Sequence, residues 1–141
     1  MNEQRNTETA RRAYELFKAG DIESLLDLYT DDATWETPRV ENMPQTGKRH
    51  GKQQILEFMS LINESSENLH FEPREFIAQG NKTVVLGDYG WRVKATGKEY
   101  TSDWVHVSTF NDDGKMTSFK EYLDTAAARD AYTANAQTAN Q

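Results

Sequence analysis

Two residues able to move a proton stand near the C-terminal end of the chain. His106 and Glu121 lie on successive runs of strand-like residues, 99–110 and 116–123, joined by the turn signal Asn111-Asp112-Asp113-Gly114. Runs joined by so short a turn pair antiparallel. Facing residues in such a pair have Cβ atoms about 5 Å apart, and diagonal neighbours about 7–8 Å. An imidazole and a carboxylate at that separation, sheltered from water, can exchange protons near neutral pH. Trp104 and Ser108 alternate with His106 along one face, and the preceding run, 83–94, adds Tyr89 and Trp91. A short strand candidate at 33–37 contributes Trp35 and Thr37. Rings with a few convergent polar groups make the usual wall of a small-molecule pocket. The expected roles follow: His106 and Glu121 as catalytic pair, Trp35, Tyr89, Trp91 and Trp104 as substrate contacts, and Thr37 or Ser108 bonded to a substrate oxygen.

The elements that must position these groups can be read from periodicity. A two-residue turn at Thr96-Gly97 predicts Trp91 opposite Ser102, Tyr89 opposite Trp104 and Gly87 opposite His106. A turn at Asp112-Asp113 predicts Trp104 opposite Glu121 and His106 opposite Phe119. One face then carries Tyr89, Trp91, Trp104, His106, Ser108, Phe119 and Glu121, and Gly87 leaves room beside His106 for a ligand. The other face carries Leu86, Val105, Val107 and Tyr122. Because side chains alternate, this partition depends on registers that a one-residue slip would invert.

Upstream, Ala10, Ala13, Tyr14 and Phe17 follow helical spacing and stop at Gly20. Ile22, Leu25, Leu26 and Tyr29 repeat the template behind Asp21 as N-cap, and Ile55, Phe58, Met59 and Ile62 do so behind Gly51. Residues 39–51 read as an ordered loop or flap. A strand through Leu69 and Phe71 breaks at Pro73 and resumes through Phe76, which implies an edge or a bulge. Segregated helices and strands give an α+β class, with helices packed on one face of a curved antiparallel sheet. Residues 1–130 form one domain, and 131–141 read as a flexible tail after one or two helical turns.

Composition narrows the function. With 16 Lys+Arg against 23 Asp+Glu among 141 residues, the net charge is −7, which disfavours nonspecific nucleic-acid binding. The absence of Cys removes disulfides and thiolate chemistry. His70 and Glu72 could share a strand face, but no third metal ligand follows, so no metal is expected, and no motif calls for a cofactor. No apolar run approaches a membrane span and the N-terminus lacks a signal-like stretch, so the expected location is cytoplasmic.

The runs Phe17-Lys18-Ala19-Gly20-Asp21, Leu28-Tyr29-Thr30-Asp31-Asp32-Ala33-Thr34-Trp35, Ser102-Asp103-Trp104-Val105-His106-Val107 and Phe119-Lys120-Glu121-Tyr122-Leu123-Asp124 resemble SnoaL-like and ketosteroid-isomerase-like proteins of the nuclear-transport-factor-2-like superfamily. The resemblance spans about residues 7–130. It implies a cystatin-like α+β cone: a bent sheet around a pocket closed by helices, commonly dimeric through the outer sheet face. It also implies a cofactor-free isomerase, polyketide-type cyclase or dehydratase acting on a small apolar carbonyl compound. The alternatives are a non-catalytic binder of a hydrophobic or aromatic metabolite and a dimerisation domain with a filled core. Steroid isomerase activity is not expected, because Thr37, Ala13 and His106 stand where that enzyme's base, oxyanion tyrosine and partner acid align. Polyketide-cyclase-like relatives place acid–base residues on the last two strands, where His106 and Glu121 stand.

Overall fold

The computed structural model describes residues 2–134. In chain order the elements are α1 (Asn2–Ala19), α2 (Ile22–Leu26), β1 (Tyr29–Thr37), β2 (Gly47–His50), α3 (Lys52–Ser65), β3 (Ser66–Gln79), β4 (Lys82–Val93), β5 (Glu99–Phe110), β6 (Met116–Leu123) and α4 (Thr125–Tyr132). The strands form one open six-stranded sheet in the order β2-β1-β6-β5-β4-β3. The α+β class holds, with one correction to its antiparallel description: β1 runs parallel to β6. That pair joins the helical N-terminal half to the C-terminal meander.

Local chemistry sets the element ends. Gly20, at φ 76°, ends α1 in a backbone region that other residues avoid. Asp21 Oδ1 accepts from the Ser24 N–H at 3.2 Å and starts α2. Helix α2 is short, so Tyr29, expected on its apolar stripe, opens β1 instead. Within the segment expected as a flap, Gly47–His50 pair antiparallel with Thr34–Thr37 as β2. Strand β3 is continuous, and the register slip between Pro73 and Glu75 absorbs the proline as a bulge. Helix α4 runs past the expected end of order: Ala131 and Tyr132 are both buried in it. The rest of the expected tail, 135–141, lies outside the described residues.

Both hairpin registers differ from expectation by two residues. Tyr89 faces Ser102, Gly87 faces Trp104 and Val85 faces His106. Across the next pair, Trp104 faces Leu123, His106 faces Glu121 and Ser108 faces Phe119. A shift of two preserves the alternation, so every face assignment survives and His106 gains Glu121 as its direct neighbour. The role expected of Gly87 does not survive. A Cβ there would lie 2.3 Å from Trp104 Cζ2 and 2.4 Å from the Glu72 carbonyl, so the missing side chain makes room for an indole rather than a ligand.

The inner face packs in two clusters. One gathers Phe71, Val85, Tyr89, Trp91, Tyr100 and Trp104 of the sheet with Ala10 of α1 and Tyr132 of α4. The other gathers Tyr29, Trp35, Met116 and Phe119 of the sheet with Leu25 of α2 and Ile55 and Phe58 of α3. Phe17 and Ile62 pack against both. Among the described residues no helix is long and apolar enough to cross a membrane.

Candidate active site

His106 sits on the inner face of β5, 4% exposed, with both ring nitrogens engaged. Nε2 lies 2.7 Å from Glu121 Oε2, and Nδ1 lies 2.8 Å from the Tyr14 hydroxyl. A carboxylate can only accept, so Nε2 carries the hydrogen given to Glu121, and in the neutral imidazole Nδ1 is then the acceptor for the phenolic hydrogen of Tyr14. In that tautomer the contacts run as a directed chain, Tyr14 to His106 to Glu121. Burial, then the nearby Tyr29 and Glu121, push the Tyr14 phenol well above its usual pKa, so it keeps the hydrogen it donates.

Rings hold the imidazole in place. Trp104 stacks on it with centroids 4.0 Å apart and planes at 15°, and Phe119 packs at 4.6 Å. The face of an indole attracts a passing positive charge. Glu121 is the more open partner, its side chain 14% exposed. Its Oε2 also receives a long contact, 3.4 Å, from the Tyr89 hydroxyl. Oε1 has no protein partner among the described residues. Burial first, then Glu121, raise the Tyr89 pKa as well, so this phenol too stays protonated.

These groups border a cavity between sheet and helices. The space open to the centre of a water molecule is about 80 Å³, where one water needs about 10–15 Å³. Of the expected site residues, Trp35, Tyr89, Trp91, Ser108, His106 and Glu121 line it together. Trp104 and Thr37 do not. Trp104 is a fully buried backing for His106, and Thr37 is buried on β1 opposite Gly47, its hydroxyl without a partner among the described residues. His70 does not join this site: it pairs with Asp88 at 3.3 Å on the sheet's other side, while Glu72 lies 4.0 Å from Lys18. His50 is exposed.

Sequence reasoning missed Tyr14 and Gln45, both in the cavity wall. Tyr14 was legible only as one member of an apolar helical stripe. The available signal was its hydroxyl, which must find a partner when such a stripe is buried. Gln45 gave no periodic signal at all, because it lies in the segment between β1 and β2.

A family model described as SnoaL-like domain matches residues 10–119. Among solved structures, the chain is similar to a nuclear-transport-factor-2-like protein of Burkholderia xenovorans, at 32% identity and TM-score 0.85, covering 94% of this chain and 99% of that one. It is similar to TerC, co-crystallised with polyporic acid, at 31% identity and TM-score 0.79, covering 90% and 97%. A protein of Mesorhizobium loti proposed to be a SnoaL-like polyketide cyclase matches at 25% identity and TM-score 0.68, covering 82% and 96%. No curated protein matches the chain.

Proposed function

Because the chain belongs to the SnoaL-like family, we propose that its cavity is the site of cofactor-free proton transfer on a small, largely apolar carbonyl compound. The observation that carries this reading is the 2.7 Å contact between His106 Nε2 and Glu121 Oε2 inside an aromatic cavity. The roles divide by access. Glu121 keeps one oxygen free and is the more exposed, so Oε1 takes the proton from carbon. His106, with both nitrogens engaged, holds Oε2 and spreads the charge as the carboxylate changes state. Tyr14 fixes the imidazole tautomer from behind. Trp35, Trp91 and Tyr89 supply apolar contact for the substrate body, with Ser108 a further hydroxyl in the wall. Isomerisation, aldol-type cyclisation and dehydration all begin with this step.

The test is deuterium incorporation at the α-carbon of 1-tetralone in D2O, followed by NMR. Wild type is expected to accelerate exchange, and Glu121→Gln to lose about 10²–10⁴ of that acceleration. Equal exchange in both proteins would remove Glu121 from the role of base.

A second reading is a non-catalytic binder of a hydrophobic or aromatic metabolite, supported by the aromatic lining of the cavity and by the likeness to TerC, which was co-crystallised with polyporic acid. Polyporic acid bound tightly and recovered unchanged, with no exchange on 1-tetralone, would select it. A homodimer through the outer face of β4–β6 is part of the same proposal. Leu86, Val105 and Val107 are only half-buried there and Tyr122 is 46% exposed. Sedimentation equilibrium would show a dimer that Tyr122→Lys weakens.

A further inference from the structure

One polar group in the cavity wall has no part in the acid–base chain. Gln45 is 4% exposed and borders the cavity from the segment between β1 and β2. Its Nε2 donates to Tyr132 Oη at 2.8 Å, its Oε1 accepts from Ser65 Oγ at 2.8 Å, and Ser65 Oγ lies 3.0 Å from Tyr132 Oη. These three contacts close a ring, and its hydrogens can be assigned by counting. Ser65 has one hydroxyl hydrogen, which goes to Gln45, so the Tyr132 hydroxyl must fill the remaining contact. Turning the amide over reverses the ring and leaves the same remainder. Both hydroxyl hydrogens and one amide hydrogen are used; one amide N–H is left.

That leftover donor belongs to the single member of the ring that lines the cavity, since Ser65 and Tyr132 stand behind it. It has no other acceptor among the described residues. A buried N–H without an acceptor is costly, whereas spare lone pairs on the ring oxygens are tolerated. The amide is also held from two other elements, the end of α3 and α4, so the group is kept in place before any ligand arrives.

We propose that Gln45 is the specificity-determining donor of this cavity, receiving a carbonyl or carboxylate oxygen of the ligand. Recognition of oxygen then belongs to Gln45, and removal of a proton to Glu121. The proposal rests on reading the cavity as a ligand site, but it does not require that the ligand react.

The experiment compares 1-tetralone with tetralin, the same bicycle with and without the carbonyl, by quenching of tryptophan fluorescence in the full chain. Wild type is expected to bind the ketone about tenfold more tightly, the effect of one hydrogen bond. Gln45→Leu should bring the two affinities within about twofold by weakening the ketone alone. Gln45→Glu, which keeps the size but offers no N–H, should do the same if the leucine variant fails to fold. Tyr132→Phe, which opens the ring, should lose part of the preference. A ketone preference unchanged in both Gln45 variants overturns the proposal, as does a wild type without preference. Wild type that binds neither compound overturns this proposal and the ligand site together. Loss of preference in the variants, with no α-exchange in wild type, upholds Gln45 and sinks the enzyme.

Discussion

The sheet carries two histidine–carboxylate pairs, one on each side. On the inner face His106 meets Glu121 at 2.7 Å with exposures of 4% and 14%; on the other, His70 meets Asp88 at 3.3 Å with 40% and 23%. Their covalent chemistry is nearly the same. Their surroundings are opposite: His106 lies among Trp104, Phe119 and Tyr14, whereas Asp88 is also held by the solvent-exposed Arg74. In water such a pair gains little, because solvent screens the charges and competes for the hydrogen bonds. Among rings each lost partner leaves a polar group stranded. Spacing in sequence brings His106 and Glu121 together but sets His70 with Glu72 rather than Asp88, and the surroundings separate a candidate catalyst from a surface contact.

The largest expected contrast is in turnover. Glu121→Gln should cost about 10²–10⁴ in 1-tetralone exchange, while Asp88→Asn should leave the rate within about twofold. A comparable loss from Asp88→Asn would mean that the two pairs are not distinct in function. Stability comes next. His106→Ala leaves Glu121 and the Tyr14 hydroxyl without their partner and opens space beside Trp104, so chemical denaturation should show a loss of about 2–4 kcal/mol. His70→Ala should cost under about 1 kcal/mol. Tyr14→Phe removes one donor and little volume; about 1 kcal/mol is expected, together with a changed 15N shift at His106 Nδ1. An Nδ1 shift identical to wild type would show that the phenol does not set the tautomer.

The smallest effect concerns acid. The hydrogen bond from Arg74 holds the Asp88 carboxyl below its ordinary value, against a smaller opposing push from partial burial. A carboxyl lowered on folding stabilises the fold above its unfolded pKa, and that contribution is lost as pH falls through the folded one. Thermal melts of Arg74→Ala and wild type should therefore differ slightly at neutral pH and converge in acid, once the pH has fallen through the lowered Asp88 value. A gap that persists there would assign the effect to packing of the Arg74 stem.

How much of this was legible beforehand can be judged from particular residues. Alternation placed Tyr89, His106, Ser108 and Glu121 on one face, because side-chain direction depends only on parity. The registers themselves were not legible. They follow from the turns: Gly97 N–H bonds Val93 C=O, and Gly114 adopts φ 83° while Asn111 Oδ1 accepts from the N–H groups of Asp113 and Lys115. Each choice moves the partner by an even number, so parity survived an error in register. Tyr14 and Gln45 escaped for a different reason. Their importance comes from the atoms their polar ends reach, across 92 residues to His106 and 87 to Tyr132, and no local pattern encodes such a meeting.

The parallel pairing of β1 with β6 sets Trp35 beside Phe119 and Thr34 beside Ser118. Contacts so distant along the chain are slow to form, since a long loop must close before they contribute. During synthesis the stacking of Trp35 on Phe119 cannot form until the final strand has been made, although Tyr29 and Phe58 can already reach the indole. A chain cut anywhere before that point lacks both the parallel neighbour of its first strand and the carboxylate of its centre. Folding and assembly of the acid–base machinery should therefore arrive as one late event.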